Sequence, residues 1–493
     1  MRRKSLAAFL TLILSIAFAL AGTAARAQLF TPEPEADPDM VTSKSRKNMR
    51  DSGVQYGAWV TPYIIYQEAP GGNFSTSVNT FRAWFKTYLW DNSFLYVRGK
   101  DTYTAVIKKG GSGVRNKNVL DLDIGYISMA TPRRNLDFSV GRKYYNIGSG
   151  LVLNGRGDGA ELNFYSKYIN VKALGSWTGF LVKDDNPYGL SDRDLATGSR
   201  RVFGGGEIST EWFNQKLYVF GMAQFDFGRE RYDRRRRQLT ALMGWTEGFS
   251  YYSGRSRYDS QYYGVGLRGV IVSGLSYSGE AVMERGKSYL SGLTLSQYLP
   301  GYNLKSDILA YSAQFKLDYY INTMFTPVLG ARYAFGSGDV NRDDYRTPIG
   351  NSLGKDRGFI YFGTFVGGYA FKPLLANMHV ISGSVAVSPF SWSDVIFVNA
   401  MTLTARYFYY MKHKTMATVN YGLDATKHER EIGHGLDASL RWRLFSDLTL
   451  SVTYGLFIPG KAFGYAYDWT LRTVTSSRTT YRHFFMGGFN VTF

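Results

Sequence analysis

Arginine and lysine side chains recur at every second position in several segments of this chain. In the segment 78–90, Arg82 and Lys86 share one parity, whereas Phe81 and Phe85 share the other. Alternate residues of an extended strand point to opposite faces of a sheet. The segment therefore predicts a strand with one basic and one apolar face, and a basic face can bind anions electrostatically.

The same sorting puts further basic residues on one face of their strands. The full basic set is Arg82, Lys86, Arg98, Lys100, Arg142, Lys143, Arg268, Lys316, Arg332, Arg406, Arg441 and Arg443. Acidic residues that take the same face are Asp121, Asp123, Asp137, Glu161, Glu280, Glu284, Asp318 and Asp437. We expect cross-strand ion pairs to neutralise roughly half of these groups. Because the acids are fewer than the bases, a surplus of positive charge would remain.

The other reactive residue types give little support for catalysis or metal binding. The chain has no Cys, which excludes disulfides, thiol nucleophiles, iron–sulfur clusters and covalently attached c-type haem. Its 5 His residues show no ligand spacing within a strand, and no Ser/His/Asp set stands out. The glycine-rich run 148–159 lacks the Gly-Lys-Ser/Thr ending of a phosphate loop. We predict no catalytic residue, no metal site and no cofactor.

Alternating segments of about ten to thirteen residues, long enough for a tilted strand to cross a bilayer, fill the chain from Val54 onward. The predicted strands are 54–66, 78–90, 93–106, 118–129, 135–145, 159–169, 171–180, 200–210, 216–227, 259–271, 275–286, 307–319, 325–335, 378–390, 398–410, 432–444, 447–457 and 481–493. Two further candidates, 360–371 and 414–422, are assigned to loops, which leaves an even number of strands.

A membrane location would require these strands to close into a barrel. After the N-terminal segment, no run reaches the roughly 18 apolar residues of a membrane helix, and only helices and closed barrels satisfy every backbone group in lipid. Aromatic residues make up 16% of the chain although the mean hydropathy is −0.22. A lipid-facing charge would cost about 2–4 kcal/mol at the bilayer centre, so the basic faces would line the lumen. We predict an all-β transmembrane antiparallel β-barrel of about 18 strands.

The predicted connections alternate between tight turns and long loops. The tight ones are Asp91-Asn92, the junction around Asn170, Ser273-Gly274 and Phe445-Ser446. The long ones are 67–77, 107–117, 146–158, 181–199, 228–258, 287–306, 336–377, 411–431 and 458–480. Short turns of such barrels face the periplasm and long loops face outward, so we expect both termini in the periplasm.

The C-terminal stretch 481–493 alternates up to a terminal aromatic residue, with Tyr481, Phe485 and Phe493 on one face. This ending looks like the closing strand of bacterial outer-membrane barrels, which the barrel assembly machinery reads. A buried edge strand of a soluble β-sandwich is the alternative, although such a strand rarely ends a chain on Phe.

The three parts of a secretory signal peptide open the chain, and Ala25-Arg-Ala27 provides the cleavage site. We predict a signal peptide over 1–27, a flexible periplasmic leader over 28–53 and the barrel over 54–493. Export argues against nucleic acid as a partner, in spite of the net charge of +19. The expected partners are anionic or sugar-like solutes, outer-membrane lipid and the acidic head groups of lipopolysaccharide.

Two glycine-rich stretches resemble the alginate-export porin family. Gly141-Arg142 and Asp158-Gly159 match a strand ending in Gly-Arg and a following Asp-Gly pair. Gly433-x-Gly-Leu-Asp437 and Tyr454-Gly-Leu-Phe-Ile-Pro-Gly460 match two C-terminal segments, with Gly435 where the family has Glu and with the Tyr and Gly reversed. The resemblance implies a single-chain barrel of about eighteen strands.

From the resemblance we expect an outer-membrane porin or exporter, a monomer and not an enzyme. It would conduct anionic or polyhydroxylated solutes, polysaccharides among them. The solutes would pass through an Arg/Lys-lined constriction, in which the rings of Tyr88 and similar aromatic residues would stack on sugar rings. The alternatives are a plugged barrel that anchors a periplasmic or surface partner and a hydrolase embedded in the barrel wall. The run Arg234–Arg237 would contact lipopolysaccharide or attract polyanions at the outer mouth.

Overall fold

The computed structural model describes residues 53–69, 72–108, 116–190, 194, 197–228, 257–290, 304–342, 354–419, 428–463, 466–468, 473–475 and 481–493. The predicted signal peptide, the leader up to Ser52 and the run Arg234–Arg237 lie outside the described residues. The barrel strands are β1 (Val54–Ala69), β2 (Gly72–Tyr88), β3 (Ser93–Lys108), β4 (Lys117–Ala130), β5 (Leu136–Ile147), β6 (Leu153–Tyr165), β7 (Asn170–Trp177), β8 (Arg201–Trp212), β9 (Gln215–Asp226), β10 (Arg257–Val272), β11 (Leu275–Leu290), β12 (Leu304–Tyr320), β13 (Val328–Gly336), β14 (Met378–Val387), β15 (Met401–Lys412), β16 (Glu431–Arg443), β17 (Leu448–Pro459) and β18 (Arg482–Thr492).

The 18 strands form one closed antiparallel barrel. Each strand pairs with its neighbours along the chain, and the last strand, β18, pairs with both β17 and β1. At this seam Val491 lies opposite Val60 on one side and Leu448 on the other. Each predicted strand overlaps an observed one, so the predicted fold class is confirmed.

The side chains of each strand alternate between the outer surface and the lumen. On β2, Phe81 and Phe85 are exposed on the outer surface, whereas Arg82 and Trp84 lie on the lumen side. A continuous outward band of apolar side chains is what contact with lipid requires. The period-two pattern of the sequence thus separates a lipid face from a wet face.

Two of the loops predicted from the sequence are mostly strand. The hairpin of β1 and β2 stays paired up to Ala69 and Gly72, which leaves only the tip of the predicted loop 67–77. Strand β6 already begins at Leu153, before the predicted start at residue 159. The glycines that suggested a loop there are needed for packing, because a Cβ at Gly155 would lie 2.1 Å from the Tyr188 hydroxyl oxygen.

The two ends of the barrel differ in their connections. The turn end holds the start of β1, the end of β18 and tight turns such as 213–214. One of its connections is long, since residues 388–400 join β14 to β15. The opposite end, the loop end, holds the longer connections. In the described part of the chain, the short elements that are not barrel strands are the 3₁₀-helix Lys183–Asp185, the helix Ile396–Asn399, the strand Lys355–Asp356 and the hairpin of Ala466–Asp468 with Thr473–Thr475. None of the helices in the described ranges has the length and apolarity needed to cross a membrane.

Two connections of the loop end fold into the lumen, although the sequence predicts outward loops over 181–199 and 336–377. The first is residues 178–190, called here the acidic inner loop, and the second is residues 354–377, called the aromatic inner loop. The prediction that residues 360–371 form no barrel strand is confirmed. The prediction that this loop faces outward is wrong, because Phe359, Phe362 and Phe371 are buried inside the barrel. These rings join one apolar cluster with inward side chains of the strands, which removes them from water.

Candidate functional site

The lumen side of β2 to β6, called here the paired wall, carries a network of ion pairs. Asp123 accepts a 2.8 Å hydrogen bond from Arg98 Nε, and Arg82 Nε lies 3.4 Å from the same carboxylate oxygen. Arg156 Nη1 donates to Asp121 and to Asp123, at 3.0 Å each. Since these carboxylates are buried and multiply paired, the charge of this wall is largely neutralised.

The Gly-Arg and Asp-Gly motif forms part of this network. Arg142 lies directly opposite Asp158, and Gly141 lies opposite Gly159. Arg142 holds the Asp158 carboxylate with two hydrogen bonds of 2.8 and 2.9 Å. A Cβ at Gly141 would lie 2.3 Å from the Gly125 carbonyl oxygen, and one at Gly159 would lie 1.9 Å from the Gly175 carbonyl oxygen. The glycines allow the close strand approach that the bidentate pair needs.

The acidic inner loop covers the paired wall. Its Asp185 carboxylate forms ion pairs with Lys100 and Arg156, and Lys117 Nζ lies 3.2 Å from Asp184. Arg142 also donates a 3.0 Å hydrogen bond to the Phe180 carbonyl oxygen. These contacts fix the loop on the wall.

Sequence reasoning missed both Arg156 and Asp185. Arg156 lies between two glycines in a run that the sequence pattern predicts as a loop, and Asp185 lies in a connection that the pattern predicts to face outward. The alternation Asn154, Arg156 and Asp158 is the signal that could have extended β6 and revealed the arginine.

The opposite side of the lumen, formed by β10 to β16 and called here the open wall, has basic residues with few partners. Arg268, Arg441 and Arg443 are exposed on the lumen side toward the turn end. Within the described ranges these three side chains have no ion pair and no hydrogen bond. Arg406 is half-buried and lies opposite Asp437 in register. The open wall therefore keeps positive charge that the paired wall has lost.

The remaining predicted basic residues are distributed over both walls. Lys316 Nζ lies 2.8 Å from Asp318, and Lys143 Nζ lies 3.1 Å from Glu161. Arg332 donates to Gln314 and to the Val366 carbonyl oxygen, at 3.1 Å each. Lys86 Nζ lies 4.4 Å from the ring centre of Phe94. Asp137 lies opposite Asn163 at the start of β5. That all of these residues line a permeation path stays a prediction.

The aromatic inner loop crosses the lumen between the walls. Near β6, Phe362 and Gly363 donate backbone hydrogen bonds of 2.9 and 3.0 Å to Val152 and Leu151. Across the barrel, Lys372 Nζ donates a 2.8 Å hydrogen bond to the Gln67 side chain on β1. Burial lowers the pKa of this lysine to about 7. The crossing loop narrows the lumen.

Three carboxylates predicted as counter-charges hold connections between strands instead, two of them the aromatic inner loop and one the β5–β6 turn. Glu284 accepts a 3.0 Å hydrogen bond from Ile360 N, and Asp437 accepts one of 3.1 Å from Tyr369 N. Glu280 accepts 2.6 Å hydrogen bonds from Ser149 N and Ser149 Oγ in the β5–β6 turn. No basic side chain of the described residues lies within ion-pair distance of these carboxylates, so they act as loop anchors. The described residues also hold no group of three or more His, Asp or Glu that could bind a metal ion.

Comparisons with known proteins agree with this architecture. The sequence model of a protein family described as Alginate export matches residues 224–476. No curated protein matches the chain. Among solved structures, Pseudomonas aeruginosa OccK8 (OprE) has a TM-score of 0.53 at 10% identity, covering 89% of this chain and 98% of that one.

A second similar structure is Pseudomonas aeruginosa OccK2 (OpdF), with a TM-score of 0.50 at 11% identity, again covering 89% of this chain and 98% of that one. The same protein in complex with glucuronate has a TM-score of 0.49 at 10% identity and the same coverage. At these identities the similarity concerns the fold alone.

Proposed function

We propose, from the premise that the chain belongs to the alginate export family of outer-membrane β-barrel porins, that it is a conduit for anionic, polyhydroxylated solutes such as sugar acids and their polymers. Proteins of this family are porins or export barrels and generally not enzymes. The turn end is the periplasmic end and the loop end the extracellular one. We further propose a monomer that contacts outer-membrane lipid and lipopolysaccharide and is inserted by the barrel assembly machinery.

The open wall is the observation that carries this proposal. Arg268, Arg441 and Arg443 project into the lumen without a carboxylate in ion-pair distance among the described residues. Positive groups in a narrow, low-dielectric passage focus the potential and favour anions. A guanidinium also binds a carboxylate through two parallel hydrogen bonds, as Arg142 binds Asp158 on the paired wall.

Ion selectivity in planar bilayers tests the proposal. The triple variant Arg268→Glu, Arg441→Glu and Arg443→Glu should shift the reversal potential in a salt gradient from anion toward cation preference. The shift should weaken near 1 M salt, where the Debye length falls to about 3 Å. Arg406 is left unchanged, because a glutamate there would face Asp437 and disturb a loop anchor.

The matched control makes the same three charge changes outside the lumen. Arg133, Arg134 and Lys167 are exposed in turns at the turn end, and their replacement by Glu should leave the permeability ratio nearly unchanged. A wild-type pore that prefers cations would refute the anion-conduit proposal.

The crossing of the lumen by the aromatic inner loop favours one second candidate, a plugged barrel that serves as an anchor for another protein. In that case the wild type and the open-wall variant would both be closed in planar bilayers. Removal of the loop would then be needed to produce current.

A further inference from the structure

Aromatic rings line the lumen side of β2, β3 and β4 near the turn end. Trp84 stacks on Tyr96 with ring centres 5.8 Å apart and an angle of 29° between the rings. Tyr126 lies 5.9 Å from Tyr96 and 5.8 Å from Phe94. An aromatic band that served the lipid interface would project outward, whereas these rings project inward. Their position calls for a role within the lumen.

Gly57 of β1 makes room for the Trp84 indole. The two residues are opposite each other in register, and a Cβ at Gly57 would lie 2.9 Å from Trp84 Nε1. The Nε1 edge of the indole therefore lies against the backbone of β1, Tyr96 stacks with the ring, and Trp84 as a whole is only half-buried. A ring held in this way is preorganised for stacking.

Cations alternate with these rings along β2. Lys86 Nζ lies 4.4 Å from the Phe94 ring centre and 5.8 Å from that of Tyr88, and it has no carboxylate partner within the described ranges. The Arg82 side chain keeps 24% of its surface exposed beside Asp123. Alternate residues of a strand are about 6.7 Å apart. The lumen side of β2 therefore presents a guanidinium, an indole, an ammonium and a phenol group at regular intervals, from Arg82, Trp84, Lys86 and Tyr88.

We infer that Arg82, Trp84, Lys86 and Tyr88 form a binding subsite for sugar acids near the turn end of the lumen. This inference rests on the proposed function and adds the residues that recognise the solute and the place in the lumen where they bind it. The C–H face of a sugar ring would stack on Trp84, and its carboxylate would bind Lys86 or Arg82. The Tyr88 hydroxyl provides a hydrogen-bonding partner for sugar hydroxyls. A neutral sugar would lose the ionic contact, and a simple inorganic anion would lose the stacking.

Current blocking by oligosaccharides tests the subsite. Trigalacturonate added on the turn-end side should block wild-type channels at lower concentrations than maltotriose. Trp84→Ala should raise the half-blocking concentration of trigalacturonate roughly 2- to 12-fold, and Trp84→Phe should retain most of the affinity. Lys86→Gln should weaken the block by trigalacturonate and leave that by maltotriose unchanged.

Phe85→Ala is the matched control, because Phe85 is the outward neighbour of Trp84 on the same strand. It should leave the block unchanged, and heat-modifiable migration should verify that all variants are folded. An equal block by maltotriose and trigalacturonate, or an unchanged block in Trp84→Ala, would overturn the subsite.

Calorimetric titration of the detergent-solubilised barrel with trigalacturonate separates this inference from the proposed function. Binding that weakens in Trp84→Ala would support the subsite even in a barrel that passes no current. If the pore is anion-selective but Trp84→Ala does not change trigalacturonate binding, the subsite is overturned and the proposed function stands. If the wild type does not bind trigalacturonate, the subsite is overturned too.

Discussion

Arg142 shows how much of the inner wall can depend on one side chain. Its guanidinium binds Asp158 on β6 and Asp121 on β4, and it donates to the Phe180 carbonyl oxygen of the acidic inner loop. Only arginine offers five N–H donors in a fixed planar arrangement, so a lysine could not make all these contacts. The residue joins two strands and a loop.

Arg142→Ala should therefore lower the stability of the barrel by about 1–3 kcal/mol, because it leaves the Asp158 carboxylate without its cation and takes from the buried Asp121 one of its two cations, the other being Arg156. Urea unfolding of the refolded barrel in lipid, followed by tryptophan fluorescence, measures the change. The double variant Arg142→Met and Asp158→Leu should recover much of the loss, since an apolar pair removes both charges.

Arg133→Ala is the control for this prediction. Arg133 is exposed in the turn 131–135, so its removal should change the stability by no more than about 0.5 kcal/mol. If Arg142→Ala were as mild as this control, the paired wall would contribute little to stability.

Residue parity could be derived from the sequence, but residue partners could not. Alternation alone puts Arg98 and Asp123 on the same side of the sheet, where the structure pairs them. Lys100 lies 4.0 Å from Asp123 on the wall, but its nearer partner is Asp185, which is far away in the chain and reaches the wall only because its loop folds inward. A local pattern contains no information about such a contact.

At the scale of elements, the inner loops are held by carboxylates of the barrel wall. Glu284 is completely buried and accepts hydrogen bonds from the hydroxyls of Tyr258 and Tyr262 as well as from Ile360 N. Because an unpaired buried amide is costly, each such anchor favours the inward position of the loop. The wall thus positions the loop that narrows the lumen.

Glu284→Ala should loosen the aromatic inner loop without opening the barrel. The lost anchor is worth about 1–3 kcal/mol, so amide exchange over 358–363 should accelerate roughly 5- to 150-fold, while exchange in β11 changes little. Hydrogen–deuterium exchange with mass spectrometry measures both segments, and the channel conductance should rise in the same variant.

Asp318→Ala provides the comparison, since Asp318 is an inward carboxylate of β12 that pairs with Lys316. Its removal should leave exchange over 358–363 as in the wild type. Equal protection of the loop in Glu284→Ala would mean that the apolar cluster holds it without the anchor.

The strands could be predicted because a barrel wall has one lipid face and one wet face, which imposes period two on the sequence. The positions of the inner loops could not be predicted, since their Phe and Ile residues pack against side chains from many strands and follow no local period. The prediction of a loop over 146–158 is wrong for the first part of β6, because the glycines there allow close packing and do not form a turn.

The whole molecule combines a neutralised wall, an open basic wall and a seam at which the first and last strands pair. At the seam, Ala58 and Phe493 exchange two backbone hydrogen bonds of 2.8 and 3.2 Å. The Phe493 side chain is 77% exposed and points outward. Phe493 therefore has two features that can be tested separately, the backbone pairing with Ala58 and the exposed ring.

Two variants of the terminus separate these contributions. Deletion of Phe493 removes both, so it should reduce the heat-modifiable folded barrel in the outer membrane and also lower the thermal stability of barrel refolded in lipid. Phe493→Ala keeps the backbone bonds to Ala58, so refolded protein should melt like the wild type. Because the variant lacks the aromatic ring, its assembly in cells should be reduced. Phe485→Ala, which removes another outward ring of β18, should affect assembly less than Phe493→Ala does. If Phe493→Ala assembled normally in cells, the terminal ring would not be the recognised feature, and the contribution of residue 493 would be confined to the closure of the seam.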